Sequence, residues 1–289
     1  MSVGVIGIGA VGLFVAHELS QMRYSVTCYV KREDQKATLE REGIQKDDQT
    51  PVYPNVQMIH SLQAHDWLFV CTKQTDLDNV VKQIDQTNDK INRVVFLQNG
   101  LGHVEKIKDL KGLQKFIGVL EHGVKRVNDH HVLHTGRGLI RLAPLNHTKT
   151  SSLNHLNHDH FPIIIEDSLQ KTLEEKLVIN SVINPLTAIY GVKNGTILEV
   201  DRLRRLAHQL LLEATEILEL DDRVMWGRVE SVCRNTSENT SSMLADINRG
   251  RQTEIDYMNG YLVRIALEKC PTHELIYQMI KVKECLSEV

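Results

Sequence analysis

Val3-Gly4-Val5-Ile6-Gly7-Ile8-Gly9-Ala10-Val11-Gly12-Leu13-Phe14-Val15 decides how the rest of the chain is read. A short, mostly β-branched run, 3–6, ends in glycines spaced GxGxxG, and Val11, Val15 and Leu19 then recur at helical spacing. A strand, a glycine turn and a helix in that order say more than the glycines alone. Gly7 permits the tight turn, Gly9 lets a pyrophosphate approach the backbone, and Gly12 allows the helix to pack closely on the strand. The helix N-terminus offers unpaired N–H groups and about half a positive charge to a phosphate. A second strand, 25–30, follows in register, so Gly7, Ile8, Gly9, Ala10, Val11 and Gly12 are read as a dinucleotide cradle.

The end of that second strand selects between dinucleotides. An acidic residue about 20 positions past the fingerprint accepts hydrogen bonds from a ribose 2′-hydroxyl. Here that position is Arg32, preceded by Lys31 and followed by Glu33 and Asp34. A carboxylate would repel a 2′-phosphate, whereas a guanidinium offers it two donors. Lys31 and Arg32 therefore point to NADP(H) rather than NAD(H).

Further short apolar runs at 67–71, 93–97 and 116–120 alternate with helical patterns, the βαβ rhythm of a parallel sheet. Residues 146–160 change to Asn, His, Ser and Thr, as in a surface loop. His147, His155, His158 and His160 in it lack the spacing and the Cys or carboxylate partners of a metal site, so no metal is expected. A last strand-like run, 161–165, follows. From about 167 the pattern is helical throughout, at 170–190, 200–220, 222–248, 254–269 and 273–287. The expectation is an α/β N-terminal Rossmann domain with a parallel sheet, 1–167, followed by an all-α C-terminal domain, 168–289. Pro185 falls inside the first long helix, where it removes an N–H and predicts a kink or break that leaves the Ser181 carbonyl without its helical donor.

The 289 residues carry 34 Lys plus Arg against 37 Asp plus Glu, a net charge of −3, which marks no polyanion-binding surface and argues against nucleic acid. Five cysteines, odd in number and without a CxxC pair, fit a reducing compartment, and the cytoplasm is the expected location. The charge-free run 3–16 is shorter than the roughly 20 residues a bilayer span needs. No basic residue precedes it and four glycines punctuate it, so neither a signal peptide nor a membrane span is read there. The helical half offers a surface for a homodimer, although no exposed apolar stripe in the sequence demands one.

Polar residues supply the chemistry. Lys73 and Asn99 follow the runs 67–71 and 93–97, at the carboxyl ends of strands where open parallel sheets bind ligands. Each by itself also suits an ordinary loop. Lys176, Asn180 and Asn184 lie at i, i+4 and i+8, so they share one face of a helix otherwise filled with Leu177, Val178, Ile179, Val182 and Ile183. Asparagine is a poor helix former, so a merely solvated face would be better served by Glu, Lys or Gln. Ser241-Ser242-Met243-Leu244 and Thr253-Glu254-Ile255-Asp256-Tyr257 come later and are not diagnostic alone.

Together these residues resemble the ketopantoate reductase (2-dehydropantoate 2-reductase) family over nearly the whole chain. The resemblance rests on the glycine fingerprint, Lys73, Asn99-Gly100, Lys176 with Asn180 and Asn184-Pro185-Leu186-Thr187, Asn194-Gly195, Ser242, and the Thr253–Tyr257 string. It implies NADPH as cofactor and reduction of ketopantoate to (R)-pantoate in pantothenate biosynthesis. It further implies Lys176 as general acid and Glu254 as a substrate-binding support of the active-site network. Asn180, Asn184, Asn194 and Ser242 would hold the substrate's hydroxyls and carboxylate, with Lys73 and Asn99 flanking the cofactor and the reacting carbonyl. The loop 146–160 matches no motif of the family. A reductase of another branched 2-oxo acid, or an NADP(H)-sensing protein without turnover, stand as alternatives; sensors usually lose their catalytic residues, and here Lys176, Asn180, Ser242 and Glu254 are all present.

Overall fold

The computed structural model describes residues 1–87, 91–145 and 156–287, and divides them into two compact units: residues 1–99 with 103–169, and 170–289 with 100–102.

The first unit is built on an eight-stranded sheet. Strands β1 (Ser2–Ile6), β2 (Ser25–Val30), β5 (Trp67–Val70) and β6 (Arg93–Phe96) are almost continuously apolar and buried, as strands covered on both faces must be. With β4 (Asn55–Met58) and β7 (Gln114–Leu120) they run parallel in the order β4-β2-β1-β5-β6-β7. Strand β10 (Ile140–Pro144) continues antiparallel to β7, and β11 (Ile163–Ile165) closes the sheet parallel to β10. The strand order reverses between β1 and β5. That is the switch point at which open α/β sheets leave a crevice for a ligand, and the glycine turn sits at it.

A second, three-stranded sheet was not foreseen from the sequence. It consists of β3 (Gln45–Lys46), β9 (His131–Gly136) and β8 (Gly123–Arg126), with β8 and β9 forming an antiparallel hairpin. It packs against helix α1 (Ala10–Gln21). Lys46 donates to Glu18 on α1 at 2.5 Å, and the His17 ring lies 3.2 Å from the same carboxylate, all three side chains being buried. Burial alone would raise the Glu18 pKa, but the hydrogen bonds with His17 and Lys46 more than offset it and hold the carboxyl below its usual range.

The second unit is helical throughout. Helix α5 (Gln170–Tyr190) is followed by α6 (Thr196–Glu199), α7 (Asp201–Ile217), α8 (Asp222–Asn235), α9 (Ser242–Ile247), α10 (Asn259–Ala266) and α11 (Pro271–Ser287). Its core helix is α5, which packs on α7, α8, α9 and α11. The break expected at Pro185 does not occur, since α5 continues through it. Asn259 Nδ2 donates to the Ser181 carbonyl at 3.0 Å, replacing the hydrogen bond that proline cannot make. The single helix expected over 222–248 is two. Polar residues Ser237, Glu238, Asn239 and Thr240 form the link, and the Ser241 hydroxyl caps α9 by accepting from Leu244 N at 3.1 Å. Likewise 254–269 opens with a 3₁₀ turn, Ile255–Tyr257, before α10 begins.

Of the four loop histidines, His147 and His155 lie outside the described residues, while His158 and His160 are exposed. Among the described residues no cluster of three His, Cys, Asp or Glu could hold a metal ion, and no helix is long and apolar enough to cross a membrane.

Candidate active site

The glycine turn separates packing from access. Gly7 adopts φ +88°, and a Cβ there would lie 2.6 Å from Thr72. A Cβ at Gly12 would come within 2.1 Å of the Gly7 carbonyl oxygen. Gly9 differs, because a Cβ there would meet no atom within 4 Å. It is the N-cap of α1, with no side chain of its own to bond the first-turn N–H groups, and that turn carries no acidic residue. Open space beside a helix N-terminus, at the turn that carries Ile8, Ala10 and Val11, is what an approaching pyrophosphate requires.

The neighbouring strand ends are stitched into the same rim. Gln98 Nε2 donates to the carbonyls of Val70 at 3.0 Å and Thr72 at 3.1 Å, and Gln74 Nε2 donates to the Asn99 carbonyl. Lys73, at the N-cap of the 3₁₀ turn Gln74–Asp76, and Asn99 are thereby brought into adjoining turns at the carboxyl ends of β5 and β6, both half-buried. Gly100 takes φ +81°, which lets the chain turn away directly after Asn99. Gln74 and Gln98 hold this rim, and their place beside Lys73 and Asn99 is the one mark of them in the sequence.

At the end of β2, Arg32 is the N-cap of α2 (Glu33–Glu42), its side chain 52% exposed. Its guanidinium contacts the Asp129 carboxylate and lies 3.4 Å from Asp34. Lys31 Nζ lies 2.5 Å from Asp76 Oδ1. Both cations thus sit where the sequence placed them, engaged with carboxylates.

In the helical unit, Lys176, Asn180 and Asn184 stand on α5 as the spacing requires, and they are not a solvated stripe. Lys176 and Asn180 are half-buried and Asn184 is 7% exposed, its Nδ2 3.8 Å from Met258 Sδ. One turn on, Thr187 Oγ1 donates to Ser241 Oγ at 2.7 Å. Helix α5 therefore anchors the segment that begins at Glu254 and the start of α9, where Ser242 is exposed as the first helical residue. Of the serine pair, buried Ser241 carries the architecture and was missed; its signal was its place one residue before the α9 pattern. Glu254 is half-buried, and its carbonyl accepts from Tyr257 N at 3.0 Å. Next to it, buried Thr253 donates through its backbone N and Oγ1 to Glu284 Oε1, at 2.7 and 2.6 Å. Asn194 sits in the turn between α5 and α6. Its Nδ2 donates to Thr236 Oγ1 at 2.9 Å, and its buried Oδ1 has no hydrogen-bond donor among the described residues.

Models of one family account for both units: residues 3–147 match "Ketopantoate reductase PanE/ApbA" and residues 168–284 match its C-terminal part. A 2-dehydropantoate 2-reductase of Bacillus subtilis (strain 168) is 38% identical over 273 residues, 92% of this chain and 91% of the other. The crystal structure of a probable 2-dehydropantoate 2-reductase from Bacillus subtilis superposes with a TM-score of 0.84 at 36% identity, covering 98% of this chain and 100% of that one. A dimeric ketopantoate reductase from Staphylococcus aureus shares the fold, with a TM-score of 0.82 at 20% identity, over 99% of this chain and 100% of that one. Since glycine turn, strand-end rim and polar α5 face all fall within these matched stretches, the chain belongs to the ketopantoate reductase family.

Proposed function

We propose that the protein is a 2-dehydropantoate 2-reductase that uses NADPH to reduce ketopantoate to (R)-pantoate, a step of pantothenate biosynthesis. The observation that carries the reading is the polar ladder Lys176, Asn180, Asn184 on α5, half-buried to buried among Leu177, Val178, Val182 and Ile183 of the same helix. The first unit serves as the NADP(H)-binding domain, with the cradle at Gly7, Ile8, Gly9, Ala10, Val11 and Gly12, and with Lys31 and Arg32 at the 2′-phosphate. The second serves as the substrate and catalytic domain. Bound in the cradle, the dinucleotide supplies hydride.

The chain's own residues handle substrate and proton. As the ketone carbon becomes tetrahedral, negative charge grows on its oxygen; the Lys176 ammonium stabilises that charge and delivers the proton from Nζ. Asn180, Asn184, Asn194 and Ser242 orient the substrate's hydroxyls and carboxylate, and Asn194 Oδ1, unpaired among the described residues, is an acceptor suited to a hydroxyl. Glu254 supports the lysine's charge and binds substrate. Asn99 and Lys73 hold the carbonyl and the cofactor in reacting geometry.

Five free cysteines support a cytoplasmic location. Exposed Leu275, Met279, Val282 and Leu286 share one face of α11, an apolar face that the sequence reading did not find, and support a homodimer formed with a second copy. Sedimentation equilibrium checks it: a dimer that Leu275→Glu with Leu286→Glu dissociates is expected, and a wild-type monomer refutes it.

The test of function is loss of reduced-nicotinamide absorbance on adding ketopantoate, with NADPH and NADH compared and with pyruvate and 2-oxoisovalerate as controls. Rapid oxidation of NADPH with ketopantoate alone is the expected result. Binding of NADPH without reduction of any oxo acid would overturn the catalytic reading.

A further inference from the structure

The tip of the β8–β9 hairpin, nearly a hundred residues from Arg32 in sequence, reaches the end of β2. Asp129 uses both carboxylate oxygens there: Oδ2 accepts from Arg32 Nη2, and Oδ1 pairs with Arg126 Nη2. Two guanidiniums thus share one anion. The hairpin tip is also tied to the glycine turn itself, since Gln35 Nε2, buried on α2, donates to the Ile8 carbonyl at 2.8 Å and to the Asp129 carbonyl at 3.4 Å. Hydrogen bonds that do not involve the Asp129 carboxylate also hold the tip. Asn128 Oδ1 accepts from His130 N at 3.0 Å and His131 N at 2.8 Å, and Arg126 Nε donates to the Asn128 carbonyl at 2.8 Å.

We propose that this hairpin completes the 2′-phosphate site: Arg126 is its second cation, and Asp129 is an internal anion that occupies both arginines until the phosphate takes its place. The inference rests on the reading of Arg32 as the residue that meets the 2′-phosphate. A phosphate carries up to two charges and three acceptor oxygens against one charge and two oxygens for the carboxylate, so it is the stronger partner for two forked donors. The displaced Asp129 nevertheless opposes it by like-charge repulsion. A dinucleotide with a free 2′-hydroxyl brings no such charge and leaves the Asp129 pairs in place. Asp129 therefore sets how strongly the protein prefers NADP(H) over NAD(H), and Arg126 makes part of that preference.

Direct binding of NADP⁺ and NAD⁺ by isothermal titration, without substrate, separates these contributions. Asp129→Asn keeps the shape and removes the charge. It is expected to tighten NADP⁺ roughly three- to tenfold while NAD⁺ changes less than twofold, the scale of one partly exposed charge contact. Arg126→Gln is expected to weaken NADP⁺ about tenfold with NAD⁺ unchanged. Arg32→Ala is the control on the underlying reading and is expected to weaken NADP⁺ selectively. If Arg32→Ala weakens both dinucleotides equally, that reading fails and the hairpin's role falls with it. If Arg32→Ala is selective but Asp129→Asn leaves or weakens NADP⁺ binding, or Arg126→Gln leaves it unchanged, the hairpin proposal is overturned while Arg32 stands.

Discussion

Gly9 and Gly12 stand three positions apart and answer to different forces, which makes their alanine variants opposite in effect. At Gly12 a methyl would sit 2.1 Å from the Gly7 carbonyl oxygen, a backbone atom that cannot swing aside. Gly12→Ala is expected to cost several kcal/mol of stability, on the scale of overpacking with backbone displacement, visible as a lowered denaturation midpoint. Gly9 has φ −92° and open space around its Cβ position, so Gly9→Ala is expected to melt within about 0.5 kcal/mol of the parent. Its dinucleotide affinity should nonetheless fall tenfold or more, because the methyl fills the space the pyrophosphate needs. A Gly9→Ala protein that binds NADPH normally would refute the cradle. Lys176→Ala makes the complementary separation: turnover should drop on the order of 10² to 10⁴ while NADPH affinity holds, and unchanged turnover would remove the lysine from proton transfer. The positions of these residues could be read from the chain because each depends on local spacing: glycines at a strand-to-helix junction, and polar residues at i, i+4 and i+8. Asp129 and Arg126 carried no such signal, for their meaning arises only when the hairpin folds back onto β2.

At the scale of elements, α5 shows why a proline is not a reliable stop. The sequence correctly identifies the missing hydrogen bond at Ser181 but cannot show that Asn259 supplies the substitute, 78 residues away. That asparagine is committed further. Its Nδ2 lies 2.8 Å from His273 Nδ1, and His273 Nε2 lies 2.8 Å from the Leu210 carbonyl, so a buried chain of polar contacts links α5, α10, α11 and α7. Glu213 adds to it by accepting from Thr272 N and His273 N at the start of α11. Asn259→Ala is expected to destabilise by about 1–3 kcal/mol, the cost of leaving buried polar groups unpaired. Pro185→Ala restores an N–H for Ser181. In a double-mutant cycle, the Asn259→Ala penalty should therefore shrink when Pro185 is also alanine, and a strictly additive cycle would show that the asparagine does not substitute for the proline's missing donor.

Across the whole molecule, the elements legible in the sequence are those whose signal is continuous and apolar. Strands β1, β2, β5, β6 and β7 announce themselves because both faces are buried. Strand β4, Asn-Val-Gln-Met at the sheet's edge, and the short, polar β3, β8 and β9 do not, since none carries a continuous apolar run and β3 finds its partner β9 far along the chain. That second sheet also brings His122 beside His134, with the Phe14 ring 4.8 and 4.9 Å from the two imidazoles. Gly138 N–H donates to His122 Nδ1, which makes that nitrogen an acceptor and the His134 Nε2 its other donor. Burial first, then the neighbouring His134 and Lys46, push His122 from the usual 6.5 down to about 4, with Glu18 and Glu121 pulling the other way. His65 in the same unit and His273 in the helical one are also lowered, burial leading in both. Between about 4 and 6.5 the unfolded chain binds a proton that the folded His122 imidazole refuses, and His65 and His273 act in the same direction below 6.5. The His122 contribution is therefore fully present above about 6.5 and is lost as pH falls toward 4, and accounts for about 3 kcal/mol. Denaturation midpoints measured from pH 7.5 to 4.5 should fall steadily through this window. His122→Asn, whose Oδ1 can accept from Gly138 N but does not titrate, should lower stability at neutral pH and flatten the slope; a variant that keeps the full slope would place the acid sensitivity elsewhere in the molecule.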